Sequence, residues 1–357
     1  MYALIDSHLH ELINDQTIKH IDHIHLWKYV QPASIDLPVW EYMYHLNHPF
    51  VPYKQSIQEQ VIRSASTKLT TQWWVTLYKW QTYLIPCLSV SIPSWLFGKI
   101  SPKSSLGRID VLIRALVDYT WIYDTIFPTT QGTVRLEVTP QSFNIQLHHW
   151  DALTQLMFFD TNNTSKIVHD QYETTFLREH WKKGKSHFYQ NNLIVWVWVP
   201  RDTIVWYKAR FTNKIINLQE IWTYESKDFF EPLYAHEQDN KQQLSLEKGR
   251  FYILPTKQQI CVPKEFSLEL LPFSHLMGEL RVHYAWFFDP WFWWQQWSTW
   301  VLEVRPHQDT LITDWQPICL IEIYKNKAIP KQIYWQVSNN YQGQQWATLA
   351  KYFKYPH

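Results

Sequence analysis

The sequence predicts a mainly all-β protein made of two copies of one β-barrel or jelly-roll domain, with a few short helices. Three observations predict this fold class. Short apolar and β-branched runs alternate with turn signals roughly every 8–12 residues. Blocks of the first half of the chain recur in the second half. The 3.6-residue periodicity of long helices is rare along the chain.

The internal repeat comprises four pairs of segments. Leu77–Pro86 resembles Leu246–Pro255, Leu106–Val111 parallels Met277–Val282, Tyr119–Asp124 parallels Tyr284–Asp289, and Leu136–Val138 parallels Leu302–Val304. The spacing within each pair stays at roughly 165–171 residues, which is typical of a duplicated domain rather than a short solenoid repeat. We therefore predict a first domain over residues 1–165, a linker over 166–190 and a second domain over 191–357.

Local patterns predict the individual elements. Ser7–Ile18 is predicted to be an opening helix with Ser7 as its N-cap. Apolar and β-branched runs predict strands at Thr133–Val138, Phe143–Leu147 and Val301–Val304. Residues 160–184 are polar and charged, and we expect them to connect the two copies.

Charge and cysteine content exclude several classes of protein. The formal net charge is +1, without the basic excess that binding to nucleic acid or an anionic membrane requires. Cys87, Cys261 and Cys319 lie far apart, so we expect neither a disulfide framework nor a zinc site of the Cys-x-x-Cys type. No basic segment followed by an apolar stretch opens the sequence, and we expect no signal peptide, no membrane span and a cytoplasmic location.

Glycine is scarce in this chain and tryptophan is abundant. Among 357 residues there are 7 glycines and 22 tryptophans, whereas glycine alone ordinarily makes up about 7% of a protein. Asp314-Trp315 lies between two apolar runs, where Asp-Gly would predict a hairpin because both central residues need a positive φ. Trp80 lies opposite Gly249 in the repeat, and Trp291 follows Asp-Pro where glycine would complete a turn.

We interpret many of these tryptophans as glycine positions, which a reassigned UGA codon translated as tryptophan would produce. The positions concerned are Trp40, Trp80, Trp121, Trp150, Trp286, Trp291, Trp315, Trp335 and Trp346. Trp95 and Trp181 fit as genuine tryptophans. The alternative is a Trp-rich binding module that stacks on glycans or single strands.

Five motifs, in order, resemble those of the dCTP deaminase family in its long, two-domain bacterial form. They are Gln31–Leu37 (Q-P-A-S-I-D-L), Lys103–Arg108 (K-S-S-L-G-R), Val282–Trp291 (V-H-Y-A followed by F-D-P-W), Leu302-Glu303 and Asn340–Trp346 (N-Y-Q-G-Q-Q-W). The resemblance runs from about residue 31 to the end of the chain. It implies dUTPase-like domains, a C-terminal lid and a homotrimer.

The resemblance implies that dCTP is the substrate and that it is deaminated to dUTP and ammonia, a step of pyrimidine deoxynucleotide biosynthesis. One glutamate can take a proton from the attacking water and pass one to the leaving amine. The H-x-E and P-C-x-x-C pair of zinc deaminases is absent from the sequence, so we expect no metal at the reacting carbon. Glu303 is the preferred general base, and Glu137, at the equivalent place in the first copy, remains the alternative.

We expect a composite site, in which the first copy binds the phosphates and the second copy supplies the base, the nucleoside pocket and the lid. The residues concerned are Lys103, Ser104, Ser105 and Arg108 for the phosphates, His283, Ala285 and Asp289 for the nucleoside, and Tyr341, Gln342 and Gln344 for the lid. We expect Mg²⁺ to arrive with the triphosphate rather than as a protein-bound cofactor.

Two other functions remain open. A dUTP diphosphatase, or an enzyme that performs both reactions, would share the fold and the phosphate loop. His8 and His10 resemble the H-x-H motif of metal-dependent hydrolases on a (β/α)₈ barrel, but the all-β pattern of the chain argues against that fold. His20, His23 and His25 are expected on a solvated helix face or loop.

Overall fold

The computed structural model describes residues 1–21, 25–51, 53, 55–163, 177–179, 187–200, 204–234, 236–238, 241–272, 280–282, 287–292, 297–332, 341 and 347–354. The strands of the first half are β1 (Tyr2–Ala3), β2 (Ile18–His20), β3 (Ile35–Pro38), β4 (Tyr42–Leu46), β5 (Ala65–Thr70), β6 (Val75–Leu77), β7 (Thr82–Ser91), β8 (Leu96–Pro102), β9 (Val111–Val117), β10 (Thr125–Ile126), β11 (Gln131–Pro140), β12 (Asn144–Leu147) and β13 (Ala152–Asp160).

The strands of the second half are β14 (Leu177–Glu179), β15 (Phe188–Tyr189), β16 (Asn192–Trp196), β17 (Ile204–Ala209), β18 (Ile215–Asn217), β19 (Phe230–Tyr234), β20 (His236–Gln238), β21 (Lys241–Leu246), β22 (Tyr252–Ile260), β23 (Phe266–Pro272), β24 (Leu280–Val282), β25 (Phe287–Phe288), β26 (Ser298–Pro306), β27 (Thr310–Thr313) and β28 (Pro317–Asn326). The helices are α1 (Asp6–Asn14), α2 (Ile57–Ser64) and α3 (Ser104–Gly107), with 3-10 turns at Leu26–Tyr29 and Ser226–Asp228. The predicted mainly all-β class with a few short helices is confirmed.

The two halves repeat the same sheet. The first half contains a six-stranded sheet of β2, β4, β5, β7, β9 and β11, and the second half contains one of β14, β17, β19, β22, β24 and β26. At the centre of each sheet two long strands pair antiparallel, β7 with β11 and β22 with β26. Glu137 faces Leu84 in the first pair, and Glu303 faces Ile253 in the second pair, so the repeat is preserved in register.

Shared strands and a shared core join the halves. A ten-stranded sheet takes five strands from each half, and β1 links the two sets because it pairs antiparallel with β13 and parallel with β28. Strand β12 also pairs in parallel with β18. Across the boundary, the buried ring of Phe143 packs edge-on against Phe229 and Phe230, with centroids 5.4 and 5.2 Å apart. The extensive apolar contact makes the halves one packing unit.

The predicted strands are confirmed, but three local predictions are wrong. The opening helix starts at Asp6 and ends at Asn14, and Ser7 is not its N-cap; its backbone N–H donates to Asp6 instead. The helix stops early because Gln16 adopts a φ of 61°, after which the chain enters β2. His20 is buried in β2 and its Nε2 donates to the Pro38 carbonyl, because strand alternation turns its side chain inward.

The Asp314-Trp315 turn is also not a hairpin. Trp315 has the positive φ that the turn pattern predicts, at 63°. However, β27 pairs with β21, whereas β28 pairs with β16 and β23, so the chain crosses from one sheet to another at this turn. A turn fixes the local reversal of the backbone, and the sheet that each strand joins is decided by burial.

Four of the tryptophans interpreted as glycine positions have a left-handed backbone. They are Trp80, Trp150, Trp291 and Trp315, with φ between 63° and 80°, and Trp222, which sequence inspection missed, has a φ of 57°. Gly249, the repeat partner of Trp80, has a φ of 70°. Trp40 and Trp121 do not have a positive φ, so their backbone does not require glycine. Trp286, Trp335, Trp346 and Trp181 lie outside the described residues.

Among the described residues, the longest helix has nine residues, and none is long and apolar enough to span a membrane.

Candidate active site

A polar cavity of about 70 Å³ lies between the two halves of the chain. The residues that line it include Ser105 and Arg108 from the first half, and Asp289, Glu303 and Tyr341 from the second half. The composite arrangement predicted from the sequence therefore has a physical counterpart, although the roles of these residues remain predictions.

The phosphate-loop motif forms a tight turn between β8 and β9. Lys103 has an extended backbone, and the single helical turn of α3 follows, closed by hydrogen bonds from Gly107 N to Lys103 O (3.2 Å) and from Arg108 N to Ser104 O (3.1 Å). The Lys103 ammonium forms an ion pair with Asp36 of β3. The turn thus holds two hydroxyls and two cations at one edge of the cavity, which is the donor set that phosphate oxygens require.

Arg108 connects three parts of the site. Its Nη1 donates to the Thr348 carbonyl at 2.9 Å, and its Nε lies 3.7 Å from the Glu303 carboxylate. The ring of Tyr341 packs on the guanidinium, with 4.0 Å between the ring centroid and Cζ. The arginine is 4% exposed, so its charge is desolvated and its orientation is fixed by these contacts.

Glu303 is fully buried on β26 and faces the cavity. Neither carboxylate oxygen accepts a hydrogen bond from another described residue. Desolvation raises the pKa of Glu303 well above its usual value, and the nearby Arg108 cation opposes that rise. A buried carboxyl group with free lone pairs and a raised pKa can exchange protons with a water or substrate beside it.

Asp289, which is predicted to contact the nucleoside, connects the cavity to the first motif. Its carboxylate accepts a hydrogen bond from Ala33 N at 2.8 Å, and the Ser34 hydroxyl lies at 3.4 Å. Burial raises the pKa of Asp289 to about 7. The contact explains why the Gln31–Leu37 segment and the Asp-Pro turn, far apart in sequence, belong to one site.

Glu137 lies elsewhere. It is buried on β11 opposite Arg114 of β9, and it does not line the cavity that contains Glu303. Desolvation raises its pKa to about 7, while a hydrogen bond from the Phe50 backbone lowers it. The two equivalent glutamates therefore differ in what they face, and only Glu303 faces Arg108.

The cavity brings together Lys103, Ser104, Ser105, Arg108, Asp289, Glu303 and Tyr341. His283, Ala285, Gln342 and Gln344 lie outside the described residues, so their predicted roles stay predictions. The site also contains residues to which the sequence analysis gave no role: Gln31, Asp36, Gln155, Phe287, Phe288, Phe292, Trp300, Val301 and Lys351. Gln31 and Asp36 fall within the first motif, and Phe287 and Phe288 fall within the Val282–Trp291 motif, so these four had a usable signal. The others carry no pattern that separates them from ordinary strand residues.

Oxygen ligands suitable for a cation are present at the rim of the cavity. The Oδ1 atom of Asp36 is buried and accepts no hydrogen bond from the described residues. Carboxylate and phosphate oxygens are the ligands that Mg²⁺ prefers, so one protein carboxylate fits an ion that enters with a triphosphate. Within the described ranges, no cluster of three histidine, cysteine or acidic side chains could hold a metal by itself.

Comparisons with known proteins agree with this geometry. A family model described as the 2'-deoxycytidine 5'-triphosphate deaminase N-terminal domain matches residues 3–162, and the model of the C-terminal domain matches residues 168–353. A crystal structure of 2'-deoxycytidine 5'-triphosphate deaminase from Agrobacterium tumefaciens superimposes with a TM-score of 0.82 at 25% identity, covering 92% of this chain and 99% of that one. A comparison with curated protein sequences found no match. Because the two family models together span nearly the whole chain, the protein belongs to the dCTP deaminase family, whose enzymes convert dCTP to dUTP.

Proposed function

We propose that this enzyme deaminates dCTP by direct hydrolysis, with Glu303 as the general base and no metal at the reacting carbon. The observation that carries the proposal is the pairing of Glu303 of the second half with Arg108 of the first half, 3.7 Å apart in one cavity. The sequence offers no H-x-E and P-C-x-x-C pair for a catalytic zinc.

The chemistry needs one group that moves two protons. Glu303 takes a proton from a water as the water oxygen bonds to C4 of the cytosine ring, and it passes this proton to the ring nitrogen N3, which accepts the electron pair of the C4–N3 double bond. Glu303 then takes the proton of the new C4 hydroxyl and passes it to the amine, the bond between C4 and the amine nitrogen breaks, ammonia leaves, and a C4 carbonyl remains. The carboxyl ends in the state in which it began, as a catalyst must.

The remaining residues bind and orient the substrate. Ser104, Ser105 and Arg108 donate hydrogen bonds to the triphosphate, and Lys103 adds positive charge. Asp289 accepts hydrogen bonds from Ala33 and Ser34 and so fixes the backbone on one side of the nucleoside pocket. Tyr341 covers Arg108 and excludes water when the C-terminal segment closes. Asp36 would offer one carboxylate oxygen to a Mg²⁺ ion that enters with the triphosphate, and such an ion would neutralise phosphate charge.

The first test measures both products from dCTP. We expect ammonia to be released in proportion to dCTP consumed, without pyrophosphate. Pyrophosphate without ammonia would identify a dUTP-diphosphatase-like reaction instead, and both products together would identify a bifunctional enzyme. Sedimentation of the purified protein tests the predicted homotrimer in the same preparation.

The second test compares the two equivalent glutamates. Glu303→Gln keeps the shape of the side chain but cannot accept a proton, so we expect kcat to fall by a factor of about 10² to 10⁴. Glu137→Gln removes a similarly buried carboxyl from the other half and serves as the matched control, with activity near that of the parent. Parent-like turnover by Glu303→Gln would refute the assignment of the base.

A further inference from the structure

We propose that a second cavity, between the two halves, binds a polyphosphate anion and regulates the deaminase site; this regulation rests on the proposed function. The cavity has a volume of about 180 Å³. It lies between the equivalent turns Lys79-Trp80 and Lys248-Gly249, and five cationic side chains line it: Lys79, Arg210, Lys248, Arg250 and Arg305. Among the described residues, no carboxylate is part of its lining.

The positive charge of this cavity is only partly compensated. Arg305 forms an ion pair with Asp110, and Arg210 lies 4.0 Å from Glu231. Lys79, Lys248 and Arg250 have no carboxylate within 4 Å in the described part of the chain. Three uncompensated cations in one concave site favour a ligand with several negative charges.

Two buried arginine donors that donate to no described residue also favour an anionic ligand. The Nε atoms of Arg250 and Arg305 are buried and donate to no described residue. The guanidinium of Arg250 stacks on Phe211, 3.7 Å from the ring centroid, which fixes its plane. A fixed arginine with free donors recognises phosphate oxygens well, because its donors match their geometry.

Arg305 connects this cavity to the catalytic one. It follows Glu303 by two residues on β26, so the two side chains leave the same face of the strand. Its guanidinium donates to the Gly249 carbonyl and to Asp110, which itself follows Arg108 by two residues. An anion that draws Arg305 away removes one cation from beside Asp110, whose negative charge raises the pKa of Glu303. Less Glu303 is then ionised, and deamination slows.

The test uses inorganic tripolyphosphate as the probe. We expect it to bind by calorimetry and to lower kcat for dCTP several-fold. The double substitution Lys248→Ala with Arg250→Ala should abolish both effects and leave basal turnover unchanged, and Lys79→Ala provides a second variant if the double one fails to fold. A matched control removes two exposed lysines that are paired elsewhere, Lys214→Ala with Lys354→Ala. Inhibition that only raises KM and persists in the double variant would place the anion at the phosphate loop and overturn the proposal.

Two further results separate the possible outcomes. A deoxynucleoside triphosphate that binds the same residues more tightly than tripolyphosphate would identify a nucleotide as the ligand, whereas equal affinity would identify inorganic polyphosphate. Binding that is lost in the double variant of a protein that releases no ammonia would support the anion site and refute the proposed deaminase reaction.

We also infer, from different observations, that the native chain carries glycine at Trp80, Trp150, Trp222, Trp291 and Trp315. A positive φ is a genuine outlier for a bulky residue, yet these five tryptophans have φ between 57° and 80°. The one repeat partner that is glycine, Gly249, has the same conformation. A UGA codon that specifies glycine in the source organism accounts for all five positions.

Buried indoles at other positions support the same codon reassignment. Trp206 is fully buried, and its Nε1 donates to the Trp198 carbonyl at 3.1 Å, as expected of a genuine tryptophan. The Nε1 atoms of Trp40 and Trp300 are buried without a hydrogen-bond partner in the described part of the chain. Trp300 also stacks on Phe288, 4.5 Å between ring centroids, and occupies space beside Glu303. Glycine at Trp300 would enlarge the cavity beside Glu303.

Peptide sequencing of the protein isolated from its source organism tests this inference, together with the codons of its gene. We expect UGA codons and glycine at the five positions, and UGG with tryptophan at Trp206 as the internal control. Tryptophan at Trp80, Trp291 and Trp315 in the isolated protein would overturn the inference.

Discussion

Desolvation raises the pKa of two acids, Glu303 and Asp289, at the candidate active site. As the proposed general base, Glu303 must be ionised to accept a proton from water, but burial raises its pKa well above the usual value. We therefore expect kcat/KM to rise with pH through the pKa of Glu303. Arg108→Gln removes the cation that opposes this rise, so the same limb of the pH profile should move to higher pH in that variant. A limb that stays in place would mean that Arg108 does not stabilise the carboxylate.

The raised pKa of Asp289 predicts how the free energy of unfolding, rather than the reaction rate, depends on pH. Its pKa is about 7 in the folded chain against 3.8 ordinarily, so the folded state holds the proton more tightly. The stability that this neutral group contributes is complete below pH ~4 and is lost as pH rises through about 7. Asp289→Asn cannot titrate, so the fall in unfolding free energy over this window, on the order of 4 kcal/mol, should shrink. Urea denaturation at several pH values measures it, with the exposed Asp228→Asn as control; an unchanged pH dependence would contradict the assignment.

At the residue scale, the sequence predicted those cavity residues that lie in motifs whose order along the chain matches a known family. Arg108 and Glu303 were predicted because the motif order matches a known family, and a composite site was predicted because the motifs for the phosphates and for the base lie in different copies. Lys351 and Gln155 were missed because strand pairing and chain packing, not local pattern, bring them to the cavity. His20 was predicted to be solvated but is buried, because the buried face of a short strand cannot be assigned without knowing its neighbouring strands.

At the scale of single elements, the paired turns of the repeat provide a matched experiment. Trp80 and Gly249 occupy the same turn in the two copies, with φ of 64° and 70°. A side chain in this conformation costs about 1–2 kcal/mol, so Trp80→Gly should stabilise the chain by that amount and Gly249→Ala should destabilise it similarly. No atom lies within 4 Å of a Cβ added at Gly249, so its cost is purely conformational. Thermal unfolding measures both; stabilisation by Gly249→Ala would refute the strain argument.

The sequence located turns well, but it did not predict which sheets the strands on either side of a turn would join. At the Asp314-Trp315 turn Trp315 has the expected positive φ, but Asp314 does not, and the strands on either side join different sheets. Local chemistry sets φ and ψ at such a turn. Strand partners depend on burying both faces of the ten-stranded sheet, which needs residues from both ends of the chain, such as β1 beside β28.

At the scale of the whole molecule, the duplication does not produce two independent folding units. The ten-stranded sheet draws on both halves, and Phe143 of the first half packs against Phe229 and Phe230 of the second half. The core that contains Phe143 extends through both halves. Unfolding one half would expose the apolar surface of the other, so we expect one cooperative transition.

Phe143→Ala tests this coupling. The substitution leaves a cavity among the three rings and should lower the unfolding free energy by about 3–5 kcal/mol, shifting a single transition to lower temperature without splitting it. Calorimetry measures the number of transitions, and Ile62→Ala, on an exposed face of α2, is the surface control. Two resolved transitions in the parent protein, or one that moves while the other stays, would mean that each half folds alone. In that case Arg108 and Glu303 would be held together only by contacts at the site itself, and loss of either half would abolish activity without unfolding the other.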